Sequence, residues 1–140
     1  FDGLDSAGLA YDINDNFLLQ GFTDSLVSKP IDMTSVAVAA RNTVFLSFFV
    51  QWAGRGEEPD EPDYLQLDFR SSDGQWITVR TIAPEETPDA TLFYEIIIPV
   101  ADEDYFHSEF QFRFRSYGRQ SGPYDTWNID YVYLDEGRSN

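Results

Sequence analysis

The side chains able to do chemistry here are 25 carboxylates, nine basic groups and one histidine. His107, between Phe106 and Ser108, is that histidine. A serine triad would need it beside a nucleophile, and the sequence carries no Gly-x-Ser-x-Gly elbow. A zinc centre needs several His or Cys ligands, and there is no cysteine. His107 therefore reads as a structural residue before a strand. Carboxylate pairs remain, because glycosidases hold two acids about 5–10 Å apart across a sugar. The runs Glu57-Glu58-Pro59-Asp60-Glu61-Pro62-Asp63 and Glu85-Glu86 lie in apparent loops, whereas such pairs are best held on rigid strands. No strand alternates Glu-x-Asp-x-Glu. No catalytic residue is expected, and a carboxylate-dependent glycoside hydrolase is the last of the alternatives.

Hard cations take carboxylate and carbonyl oxygens from irregular segments. Two places invite calcium: Asp2-Gly3-Leu4-Asp5 together with Asp12-Ile13-Asn14-Asp15-Asn16, and Asp130 within Asn128-Ile129-Asp130. Neither has the spacing of an EF-hand loop, and the first reads equally as Asx turns. Asp130 stands inside an aromatic strand, so a buried carboxylate there would need a partner such as Arg113, Arg115 or a metal ion. The two places read as separate candidates for calcium. Sugars stack on flat aromatic faces. Trp52, Trp76, Tyr124 and Trp127 are candidates for a ligand platform, with core packing as the alternative.

These residues must be positioned by strands, because alternation with a period of two dominates from Thr43 onward. Residues 44–52 put Val44, Leu46, Phe48, Val50 and Trp52 on one face and the apolar Phe45 and Phe49 on the other, as in a central strand. Leu65, Leu67 and Phe69 share a face, and Gln66, Asp68 and Arg70 share the opposite one, which is expected to meet water. Asp73-Gly74 suits a tight turn into residues 76–82, predicting a hairpin. Residues 92–98 form a further strand ended by Pro99. Phe110, Phe112 and Phe114 alternate with Gln111, Arg113 and Arg115, and residues 127–134 close the series. Short strands are expected at 17–20 and 26–33, and helical turns at 35–41 and 102–107. Seven or more short strands between Gly, Pro and Asp turns predict an all-β antiparallel sandwich of the jelly-roll kind over residues 1–140.

The formal net charge of −16 repels nucleic acid phosphates and anionic lipid surfaces. Neither is an expected partner, and no apolar run is long enough to insert in a membrane. The 42% hydrophobic and 16% aromatic content separates the chain from disordered acidic sequences. Its opening at Phe1-Asp2-Gly3 suggests a fragment of a larger protein.

Phe110-Gln111-Phe112-Arg113-Phe114-Arg115 followed by Trp127-Asn128-Ile129-Asp130-Tyr131-Val132 resembles the last two strands of MAM-like jelly rolls. Carbohydrate-binding jelly rolls end similarly in an Asn-Ile-Asp element, and in some of them an acid near each end holds a structural calcium. That comparison implies Asp130 with Asp2 and Asp5. Nearly the whole chain is similar to the amino-terminal region of large exported Bacteroidetes proteins linked to type IX secretion and gliding motility. The likeness runs through Phe1-Asp2-Gly3-Leu4-Asp5, Asp24-Ser25-Leu26-Val27-Ser28-Lys29-Pro30-Ile31, Val44-Phe45-Leu46-Ser47-Phe48-Phe49 and Phe106-His107-Ser108-Glu109-Phe110. It implies an outer-surface location, a protein partner at the surface or in the secretion and motility apparatus, and no catalytic residues. The expected function is a non-catalytic binding or scaffolding module. The alternative is a carbohydrate-binding module with a structural calcium, whose ligand would be a glycan held by Trp52, Tyr124 and Trp127.

Overall fold

A computed structural model describes residues 1–12, 19–86 and 88–138. Seven strands run in chain order: Gln20–Val27 (β1), Phe45–Trp52 (β2), Tyr64–Arg70 (β3), Trp76–Ile82 (β4), Tyr94–Pro99 (β5), Phe112–Arg119 (β6) and Trp127–Asp135 (β7). They form two antiparallel sheets, one ordered β1-β6-β3-β4 and one ordered β5-β2-β7. The expected all-β antiparallel sandwich is what the chain forms. Only β3 and β4 are consecutive neighbours, so every other connection carries the chain from one sheet to the other. Residues distant in sequence therefore meet at the ends and across the faces.

The period of two decides which side chains enter the core. Leu46, Phe48 and Val50 of β2 and Leu65, Leu67 and Phe69 of β3 are fully buried, as are Phe114 and Trp127. Phe48 and Phe114 meet edge-to-face across the sheets with centroids 4.8 Å apart. Phe69, Tyr105 and Phe110 make a second aromatic cluster. Each large side chain so buried contributes about 1.5–3 kcal/mol. The β3–β4 hairpin turns at Gly74, whose φ of 84° suits glycine. The expected helical turns are short 3-10 segments, Val38–Thr43 and Glu103–Tyr105. The Asp102 carboxylate caps the second by accepting from the Asp104 N–H at 3.0 Å. His107 does serve strand entry: its Nε2 lies 3.0 Å from the Arg70 carbonyl, and its Nδ1 accepts from the Glu109 N–H.

Two expectations are corrected. The Gln66, Asp68 and Arg70 face of β3 does not simply meet water, because Gln66 is 9% and Asp68 1% exposed. Strand alternation gives direction, but side chains of the flanking β4 and β6 lie over this one. The strands expected at 17–20 and 26–33 are replaced by β1, with Ile31 reduced to an isolated bridge to Phe110. Residues 17 and 18 lie outside the described ones. One long strand wins because β6 offers a full antiparallel ladder from Gln20 to Val27, interrupted by a single irregularity.

Candidate functional site

The residues expected to hold calcium do not converge. Asp2 and Asp5 border an open cleft of about 730 Å³, beside Tyr11, Asp24 and Trp127. Each serves the local backbone. Asp2 accepts from the Leu4 N–H at 3.1 Å, and Asp5 from the Ala7 and Leu9 N–H groups at 2.8 and 2.9 Å. These are Asx turns. Asp24 supplies the longer link, accepting from the Asp2 and Gly3 N–H groups on Oδ2 and from the Tyr11 hydroxyl on Oδ1. The Tyr11 pKa is pushed up to about 12, first by burial, then by its bond to Asp24 and the charges of Asp24, Asp5 and Asp2. Of the Asp12 to Asn16 group, only Asp12 is among the described residues.

Asp130 does not border that cleft, although Asn128 and Ile129, just before it on β7, do. It is exposed, its Oδ1 accepts from the Tyr131 N–H at 2.8 Å, and it borders a small apolar hollow with Phe49, Phe93 and Tyr131. Arg113 and Arg115 belong to the opposite sheet and do not reach it. The β2–β7 register slips between Ser47 and Phe49, and Tyr131 takes a φ of 49°. That bulge leaves the carboxylate in solvent, where it needs no buried partner.

The aromatic candidates also separate. Trp127 is fully buried, so it has no free face for a sugar and belongs to the core. Trp52 borders a proline-rich hollow with Pro59, Pro84 and Pro88. Tyr124 lies under the Arg119 guanidinium, 5.5 Å from its ring centroid, and Trp76 lies under Arg113 at 4.4 Å. No common platform results.

What the fold assembles instead is a trio of carboxylates from distant loops. Asp60 and Asp63 precede β3, and Asp125 precedes β7; oxygens of all three lie within 4.8 Å of one another. Asp63 is 1% and Asp125 3% exposed. The Asp63 carboxylate accepts from Gln20 Nε2 at 2.9 Å and from the Asp60 N–H at 2.8 Å. Asp125 accepts from the Arg119 N–H at 2.6 Å, while the Arg119 guanidinium reaches Asp60 at 2.5 Å. Burial first, and then the neighbouring Asp125 carboxylate, push the Asp63 pKa up to about 7. Asp125 adopts a φ of 61°, a region Asp tolerates better than most residues, and rests against Gly118. A Cβ at Gly118 would stand 2.3 Å from its Oδ2. The trio can share a proton, and its oxygens are of the kind hard cations take. Among the described residues it is the one carboxylate group with such spacing.

The second assembly covers the outer face of the four-stranded sheet. On β6, Phe114 points inward, so Arg113, Arg115, Tyr117 and Arg119 point outward. Asp68 of β3 joins three donors: Gln66 Nε2 at 2.7 Å, Thr78 Oγ1 at 2.9 Å and Arg113 Nε at 2.7 Å. These contacts satisfy a carboxylate that alternation alone would leave wet. Register places Phe22, Tyr117 and Tyr64 in one row across β1, β6 and β3. Tyr64 and Tyr117 stack 3° from parallel with centroids 4.8 Å apart, and Phe22 meets Tyr117 edge-to-face at 5.3 Å. The Arg115 guanidinium sits 3.4 Å from the Phe22 centroid. The outward arginines are legible in the sequence as the polar half of Phe-Arg-Phe-Arg. Their association with Phe22 and Trp76 requires strand order.

Comparison with known proteins adds no assignment: no protein-family model matches the chain, and no curated protein is significantly similar to it.

Proposed function

We propose that this chain is a non-catalytic protein-binding module of an exported bacterial surface protein, and that it meets its partner through the outer face of β1, β6, β3 and β4. One observation carries the reading. That face is a layer of Arg, Tyr, Phe and Trp side chains fixed by mutual contacts, the composition in which binding energy concentrates at protein interfaces. Each of its rings already has a partner: Tyr117 lies between Tyr64 and Phe22, Phe22 carries Arg115, and Trp76 carries Arg113. Ring edges and hydroxyl groups remain for contact. The layer is preorganised on strands, which lowers the entropy lost on binding. The surface location and the secretion and motility context follow from the resemblance in sequence.

The test is photo-crosslinking from benzoylphenylalanine placed at position 117, compared with position 97 on the outer side of the other sheet. A protein crosslinked in outer-membrane preparations from position 117 and not from 97 is the expected result. Crosslinking confined to position 97 refutes the choice of face. A glycan-binding module is the second reading, favoured by Phe93 at 44% and Tyr131 at 76% exposure beside Phe49 on the three-stranded sheet. Retention of a defined glycan, lost on Tyr131→Ala, would favour it instead.

A further inference from the structure

We infer that the partner delivers a carboxylate to Arg115, from an extended segment of neutral or basic sequence crossing β1, β6 and β3. This rests on the protein-binding reading above and names the chemistry of that partner. The outward arginines of β6 are not equivalent. Arg113 is held by Asp68 and Arg119 by Asp60. Among the described residues, Arg115 has neither an ion pair nor a side-chain hydrogen bond; its contact is with the Phe22 ring. In a chain with 25 acidic residues, this is not for want of carboxylates.

A guanidinium over a ring engages its planar face and keeps its N–H donors, which suit a carboxylate bidentately. Arg115 is half-buried, and its charged form is disfavoured where it stands, first by burial and then by the Arg113 charge. Asp68 and Tyr64 act in the opposite sense, but Asp68 already serves Arg113, Gln66 and Thr78. An arriving carboxylate would supply what the fold withholds, in a setting shielded enough to make a charged hydrogen bond count.

Shape and charge together fix the occupant. The row of Phe22, Tyr117 and Tyr64, with the tyrosines stacked and Phe22 nearly perpendicular to them, offers ring edges and the tyrosine hydroxyls, which fit an extended peptide better than the apolar face of a sugar. The net charge of −16 repels acidic partners at long range. Because that field fades over about 8 Å at physiological ionic strength, a single carboxylate in an otherwise neutral or basic segment approaches best.

The experiment titrates the isotopically labelled 140-residue chain with three probes, following the Arg115 Nε–Hε resonance and the backbone amides. The probes are a heptapeptide with a central glutamate, threonines around it and a lysine at each end; its glutamine counterpart; and oligogalacturonate. The expected result is a saturable shift of the Arg115 resonance with the glutamate peptide and at least about tenfold weaker binding of the glutamine peptide. Arg115→Gln should weaken binding of the glutamate peptide by a similar factor. Arg115→Lys, which keeps the charge without the fork, should fall between. Exposed Arg55→Gln should leave it unchanged. Equal binding of both peptides at the β6 amides overturns the carboxylate assignment and leaves the protein-binding reading standing. Tighter binding of oligogalacturonate overturns the choice of a peptide. No shift with any probe overturns the inference, and the crosslinking at position 117 then judges the broader reading separately.

Discussion

Replacing Asp125 with Asn should make the protein more stable at pH 8 than the natural chain, although it removes a buried group that makes a hydrogen bond. Asp63 and Asp125 are almost wholly buried and adjacent, and they cannot both ionise without cost. The Asp63 pKa rises from the ordinary 3.8 to about 7 in the fold. Between those values the folded state holds a proton that the unfolded state has lost, so stability falls as pH rises from about 4 to about 7 and levels off above. At about 1.4 kcal/mol per pH unit, this amounts to about 4 kcal/mol as an upper bound. Burial is the larger cause and survives the substitution; the Asp125 charge does not. Asn at position 125 keeps an oxygen for the Arg119 N–H, presents an amide N–H to Asp63 and tolerates the φ of 61°. The variant should therefore exceed the natural chain by about 1–2 kcal/mol at pH 8 and differ by less than about 1 kcal/mol at pH 5.

Urea unfolding followed by tryptophan fluorescence, in EDTA so that no cation neutralises the pair, measures the difference at each pH. Asp32, Asp73 and Asp89 have pKa values lowered by hydrogen bonds from Thr34, Ser71 with Gln75, and Thr91. Their contribution runs the other way: it is present above the unfolded pKa and lost as pH falls through the folded one. It is common to both proteins and cancels in the difference. Glu58→Gln, at an exposed position, controls for the change in net charge. A difference that does not change between pH 5 and 8 would show that the two carboxyls do not interact as the geometry requires.

Three further outcomes follow from the same contacts. Asp68→Ala leaves Arg113, Gln66 and Thr78 without their shared acceptor and should cost about 2–4 kcal/mol in urea unfolding; the added change Arg113→Met should recover part of that. Gly118→Ala forces a Cβ to within 2.3 Å of Asp125 Oδ2 and should cost about 1–3 kcal/mol, with less cost when Asp125 is also shortened to Ser. Phe114→Ala opens the centre of the sandwich beside Phe48 and should cost about 3–5 kcal/mol, lowering the melting temperature in a calorimetric scan.

Sheet class and core were written in the sequence because a strand with one buried face must alternate, and the alternation survives in the amino-acid order. Leu46, Phe48, Val50, Leu65, Leu67, Phe69 and Phe114 were readable as core without coordinates, as was the Asp73-Gly74 turn. Asp2 and Asp5 were half legible, since an Asx turn closes over a few residues and needs no distant partner. The remainder depended on which strands became neighbours. Asp60 and Asp63 meet Asp125 only because the loops before β3 and β7 come to one end of the sandwich, and no local pattern records a pairing across 60 residues. Asp68 is dry, and Arg115 lies over Phe22, because β6 runs between β1 and β3. Asp130 faces solvent because a bulge in β7 breaks the alternation that suggested burial. Local periodicity chooses the face of a strand; strand order and register choose its company, and the candidate sites are made of that company.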